Sequence, residues 1–152
     1  MTESTDASMI VSASRDVAAP AAAIFDLIAD PAQQPRWDGN GNLAEAAPGQ
    51  RVHAVGDAFK MTNTSGKVRE NRVVEFAEDE RIAWQPGEPG GAPFGQVWRW
   101  ELSPLAGGLT RVTHTYDWTA LQDPSKLQRA RNTTADKLRA SIDRLAALVE
   151  QG

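Results

Sequence analysis

The chain contains no cysteine, which excludes disulfides, thiolate metal sites and cysteine nucleophiles in one step. Its two histidines, His53 and His114, lie far apart and form no H-x-x-x-H pair, so neither a metal site nor a cofactor is expected. No serine sits in a nucleophile-elbow motif, and Gly39-Asn40-Gly41 lacks the following helix of a phosphate loop. Positive charge is in short supply. Against 20 Asp and Glu stand 16 Lys and Arg, a net charge of -4, which argues against a nucleic-acid partner. No apolar run approaches the ~20 residues that span a bilayer, so no membrane insertion is expected. Residues 1–8 carry neither the basic nor the apolar region of a signal peptide, and a cytoplasmic location is the expectation.

What is present is an ordinary globular composition, 41% hydrophobic and 24% charged over 152 residues. That length suits one domain, able to bury roughly 70% of its unfolded-state surface. Residues 1–8 read as a disordered tail and residues 9–152 as a single domain. Residues 9–17 read as a strand. Ala19-Pro20 then opens a helix, with proline in the first turn and Ile24, Leu27 and Ile28 on its apolar face. Residues 32–37 add a short helical turn, and residues 38–42 a turn-rich loop. A meander follows: a weak strand at 43–47, unclear pairing at 52–55, then strands at 58–63, 67–77, 81–85, about 95–103 and 109–118. The glycine- and proline-rich stretch 85–95 reads as irregular, and as a candidate gate. Asp123-Pro124 caps a helical pattern that runs without a break to about Glu150, some 27 residues or about 40 Å.

Side-chain alternation assigns the faces. Trp98, Trp100 and Leu102 share one face of their strand, and Val112, His114, Tyr116 and Trp118 share one face of the next. The turn between them sets Trp100 beside His114 and Trp98 beside Tyr116. The same logic turns Glu70, Arg72, Val74 and Phe76 inward beside Ile82 and Trp84, and Phe59, Met61 and Asn63 inward with Val68, unless a β-bulge intervenes. The inner stripe of the last helix reads Leu127, Arg131, Thr134, Leu138, Ile142, Leu145 and Val149. It is apolar from Leu138 onward and polar or small before, as expected of a helix whose first half covers the mouth of a cavity.

The strand "VSASRDVAAP", the helix containing Ile24-Phe25-Asp26-Leu27-Ile28, the Asp30-Pro31 stop, Trp37, the meander and the long terminal helix together resemble the SRPBCC superfamily. The likeness is to its small bacterial, often actinobacterial, polyketide cyclase/dehydrase-like members, and it covers residues 9–150. It implies an α+β helix-grip fold of the START and pollen-allergen type. Such a fold has a curved antiparallel sheet of about six to seven strands around a long C-terminal helix, with two short helices after the first strand and a hydrophobic cavity between sheet and helix. The superfamily includes carriers, cyclases, co-chaperone activators and stress proteins, so fold alone does not choose among them.

The expected partner is a small hydrophobic ligand: a lipid, polyketide or aromatic compound. The expected ligand-binding residues are Trp37, Phe59, Met61, Arg72, Trp84, Trp98, Trp100, His114, Tyr116, Trp118, Arg131, Thr134 and Leu138. An aromatic cavity with few polar groups suits a flat apolar molecule. Trp37 lies in a segment that the resemblance sets near the cavity entrance, and Arg131 suits a carboxylate or phosphate. His114, Tyr116 and Arg72 are the catalytic candidates for a cyclase or dehydratase, as proton carriers and enolate stabilisers. A protein-interaction or stress-related module is the third possibility. No surface feature marks an oligomer.

Overall fold

The computed structural model describes residues 9–150; the expected tail at residues 1–8 lies outside them. Seven strands form one antiparallel sheet: β1 (Ile10–Val17), β2 (Leu43–Glu45), β3 (Ala58–Asn63), β4 (Val68–Ala77), β5 (Arg81–Gly87), β6 (Val97–Pro104) and β7 (Thr110–Asp117), in the order β1-β7-β6-β5-β4-β3-β2. Helix α1 (Ala21–Ala29) and, after a single 3-10 turn, the short α2 (Gln34–Trp37) follow β1. Helices α3 (Leu127–Arg131) and α4 (Ala135–Val149) close the described chain. This is the helix-grip fold.

The core forms where α4 crosses the inner face of the sheet. Ile142, Leu145 and Ala146 meet Ile24, Phe25 and Ile28 of α1 and Val17, Leu102 and Val112 of the strands, all nearly inaccessible to solvent. Tyr116, Trp118, Leu121, Ala130 and Leu138 form a second, smaller cluster at the other end. The β6–β7 register pairs Trp98 with Tyr116 and Trp100 with His114, as the alternation predicts.

Three expectations are corrected. The terminal helix is not continuous. Thr134 adopts extended backbone (φ -98°, ψ 165°) and its side chain accepts from Lys137 N–H as the cap of α4, while the Thr133 hydroxyl donates to the Arg129 carbonyl. Side chains that bond the local backbone compete with the helical ladder, and two such residues in a row end it. Helix α4 therefore has 15 residues and a length of about 22 Å.

The second correction concerns β4. Its pairing with β5 shifts between Val73 and Glu75, so Val74 is the extra residue of a bulge. One extra residue reverses every face upstream of it. Phe76 stays on the core side, but Asn71 and Val73 take the inward places while Arg72 and Val68 are exposed. Glu70 turns out with Arg72 and accepts from Gly90 N–H.

The third correction is that β5 continues through Pro86 to Gly87. Beyond Trp84 the pairing with β6 gives way to residues 93–94: Gly87 bridges Pro93 and the Pro86 carbonyl accepts from Phe94 N–H. The N–H that proline lacks is therefore not needed there.

Candidate functional site

Between the inner face of the sheet, α2 and the α3–α4 break lies a cavity of about 320 Å³. Its aromatic wall comes from β6 and β7. Trp100 stacks on His114 with ring centroids 3.7 Å apart, Trp98 lies 4.2 Å from Tyr116, and Trp37 stands edge-on to Trp100 at 5.1 Å. Trp84, Met61 and Leu138 add apolar surface. Trp37 is both anchor and wall, since its indole N–H donates to the Leu27 carbonyl at 2.8 Å.

The adjoining loop is held from several sides. The Asp38 carboxylate accepts from the N–H groups of Asn40, Asn42 and Leu43. Arg144 donates to the Asp38 carbonyl and the Ser141 hydroxyl accepts from Gly39 N–H, each at 2.8 Å. Asp38, the sole acid on the cavity wall, is thus committed to backbone.

His114 Nδ1 lies 3.0 Å from the Arg99 carbonyl. A carbonyl only accepts, so Nδ1 carries the proton and, in the neutral ring, Nε2 is a bare acceptor. Complete burial pushes the His114 pKa down to about 4, outweighing the support from that carbonyl. Burial pushes the Tyr116 phenol up to about 12 against a smaller opposing pull from the Arg129 guanidinium. At neutral pH His114 therefore accepts and Tyr116 keeps its proton. Burial thus favours the neutral imidazole of His114 at pH 7. Three wall residues hold buried polar atoms with no hydrogen-bond partner among the described residues: Trp100 Nε1, Gln96 Oε1 and Asn42 Oδ1.

The mouth is cationic, with Lys67, Arg69, Lys126 and Arg129 around it. Phe94 sits between two of them. Arg69 lies 5.1 Å and Lys126 4.3 Å from its ring centroid, a cation–π clasp across one end of the opening.

The structure brings Trp37, Met61, Trp84, Trp98, Trp100, His114, Tyr116 and Leu138 to the cavity wall. Five expected residues lie elsewhere. Phe59 is core behind Trp84, edge-on at 5.4 Å. Trp118 is buried in the smaller cluster, with the Arg131 guanidinium 5.8 Å from its ring. Arg72 is on the outer face because of the β4 bulge. Arg131 and Thr134 are exposed because the break re-phases the helix; Ala130 and Thr133 take the inner positions, with the exposed Arg129 at the rim. Lys126, Arg129, Ala130 and Thr133 follow helical spacing as a stripe one residue away from the one expected. That spacing was the available signal. Arg69 and Asn71 needed the bulge.

The chain belongs to the polyketide cyclase/dehydrase and lipid transport family, whose model matches residues 8–150. An uncharacterized protein of Mycobacterium tuberculosis, Rv0088, is 34% identical over 114 residues, covering 72% of this chain and 48% of that protein. The chain thus spans about half the length of the curated relatives it matches. Among solved structures, protein NE0264 from Nitrosomonas europaea is similar with a TM-score of 0.69 at 17% identity, covering 96% of this chain and 97% of that one. Protein MLL2253 from Mesorhizobium loti has a TM-score of 0.67 at 16% identity, covering 93% and 97%. These likenesses agree on the fold, and the family on hydrophobic ligands. Among the described residues no helix is long and apolar enough to cross a membrane.

Proposed function

We propose that residues 9–152 act as one domain that binds a small, largely apolar molecule with a flat body, a lipid, polyketide or aromatic compound, and holds it without changing it. The observation that carries this reading is the aromatic wall of Trp98, Trp100, His114 and Tyr116 around a 320 Å³ space, within the usual range for small-molecule pockets. Trp37, Trp84, Met61 and Leu138 contact the body of the ligand. His114 Nε2 and the Tyr116 hydroxyl orient its polar atoms. Phe94 is the gate.

A cyclase or dehydratase needs a group that gains and loses a proton near neutral pH. His114, near 4, has no acid proton on Nε2, and Tyr116, near 12, does not ionise. Arg72 faces away. These facts favour orientation over proton transfer. An interaction module would present a contiguous apolar patch, whereas among the described residues the large exposed apolar side chains, Ile10, Val55 and Val68, sit on three separate segments.

The test is native mass spectrometry of freshly purified protein, paired with quenching of tryptophan fluorescence by the neutral probe phenylnaphthylamine. The expected results are a co-purifying small molecule, or saturable quenching that Trp98→Ala weakens by about tenfold. A recovered ligand should be chemically unchanged after incubation. Protein that arrives empty and gives no saturable quenching overturns the proposal.

A further inference from the structure

Beside the cavity lies a second, polar space of about 160 Å³, lined by Asn40, Asn42, Arg129, Asn132, Thr133 and Lys137. Asn40, Asn42, Arg129 and Thr133 line both spaces, so the two adjoin along these side chains. No carboxylate lines the annex. Across both compartments five cations (Lys67, Arg69, Lys126, Arg129 and Lys137) face a single acid, Asp38, whose oxygens are taken by three backbone N–H groups. This accumulation runs against a chain whose net charge is -4.

Two of the five have local partners: Arg69 pairs with Glu88 at 3.3 Å and Lys126 with Asp123 at 3.4 Å. Lys67, Arg129 and Lys137 make no ion pair among the described residues. Arg129 joins the two compartments and is near enough to Tyr116 to act on its phenol. Asn42, at the same junction, has its buried Oδ1 without a partner.

From this arrangement we infer that the ligand is an anionic amphiphile, with a flat apolar body in the aromatic cavity and an oxyanion head in the annex between Arg129 and Lys137. The inference rests on the binding reading above and adds the charge and polarity of the ligand. A cationic head is repelled by both residues, and a neutral one leaves them without a counter-charge. An oxyanion accepts the guanidinium fork of Arg129 and a point-charge contact from Lys137. Carboxylate and phosphate share this chemistry.

The test uses two probes of one skeleton: anilinonaphthalenesulfonate, which is anionic, and phenylnaphthylamine, which is not. The anionic probe should bind at least about tenfold more tightly at low salt. The anionic-to-neutral affinity ratio should fall by about tenfold in Arg129→Gln/Lys137→Gln and by less in Lys137→Gln alone. Reading the ratio corrects for any general loosening of the cavity. Displacement of the anionic probe by naphthoate, compared with naphthyl phosphate, then tells a carboxylate head from a phosphate one. Saturable binding of the neutral probe with a ratio near one, or a ratio the double variant leaves unchanged, overturns the anion inference while the cavity reading stands. Failure of both probes to bind overturns both.

Discussion

His114 is buried against Trp100 with its Nδ1 proton committed to the Arg99 carbonyl, and that placement ties stability to pH. The unfolded chain takes up its imidazole proton near 6.5, while the folded chain resists until about 4. A lowered histidine pKa means that the unfolded state binds more protons between these values. Stability is therefore intact above about 6.5 and falls as the pH drops toward 4. The loss should reach on the order of 2–3 kcal/mol by pH 4.5. Asp16, Glu75, Asp123 and Asp143, whose carboxyls are held below the ordinary range, give up their contributions at lower pH, so the window belongs to His114. Urea unfolding at pH 7 and 4.5 checks it. In His114→Asn, whose amide keeps a donor for the Arg99 carbonyl, most of the difference between the two pH values should vanish; an equal difference in both proteins would refute it. Gly39 carries a lesson of another kind. The sequence presents it as one glycine of a turn, but a Cβ there would lie 2.6 Å from Ser141 N and 2.7 Å from the Ala140 carbonyl carbon. What requires glycine is the approach of the loop to α4, a contact across some hundred residues that local patterning does not encode.

At the scale of elements, the segment from Gly87 to Gln96 is tied at several points. Gly87 bridges Pro93, Phe94 N–H bonds the Pro86 carbonyl, and the Phe94 ring lies between Arg69 and Lys126. Two partly buried cation–π contacts of about 1 kcal/mol each make a latch weak enough to open. Phe94→Ala should raise the dissociation rate of phenylnaphthylamine by about tenfold in stopped flow, with little change in the urea midpoint. An unchanged rate would remove Phe94 from the path. The strands, their order along the chain and the Trp98–Tyr116 and Trp100–His114 pairings were legible because alternation with period two survives wherever a hairpin is regular. Arg72 was misplaced because the bulge at Val74 leaves no local mark: Val73 and Val74 are equally apolar, and which one is extra depends on the register against β5. Arg131 and Thr134 were misplaced for a similar reason. Thr133 and Thr134 are compatible with a continuous helix, and only the cap at Thr134 and the Thr133–Arg129 bond show that it stops.

At the scale of the whole molecule, net charge and local charge have opposite signs, and this separates two accounts of ligand capture. A body of net charge -4 repels an anion at long range. A mouth carrying Lys67, Arg69, Lys126 and Arg129, with Lys137 behind, attracts it once the distance is comparable to the screening length. That length is about 30 Å at 0.01 M salt and about 10 Å at 0.1 M. A concave opening with low-dielectric walls focuses the local field, and two of the mouth cations are partly offset by Glu88 and Asp123. If the mouth governs encounter, salt removes an attraction: the association rate of anilinonaphthalenesulfonate should fall several-fold, about three- to tenfold, between 0.01 and 0.3 M salt. If the net charge governs, salt removes a repulsion and the rate should rise. Phenylnaphthylamine reports any change in the cavity itself and should be insensitive in both cases. Arg129→Gln/Lys137→Gln should flatten the dependence for the anionic probe without reversing it, because Lys67 remains. A rate that climbs with salt in the unmodified protein would show that these cations are a solvated rim and do not steer the ligand.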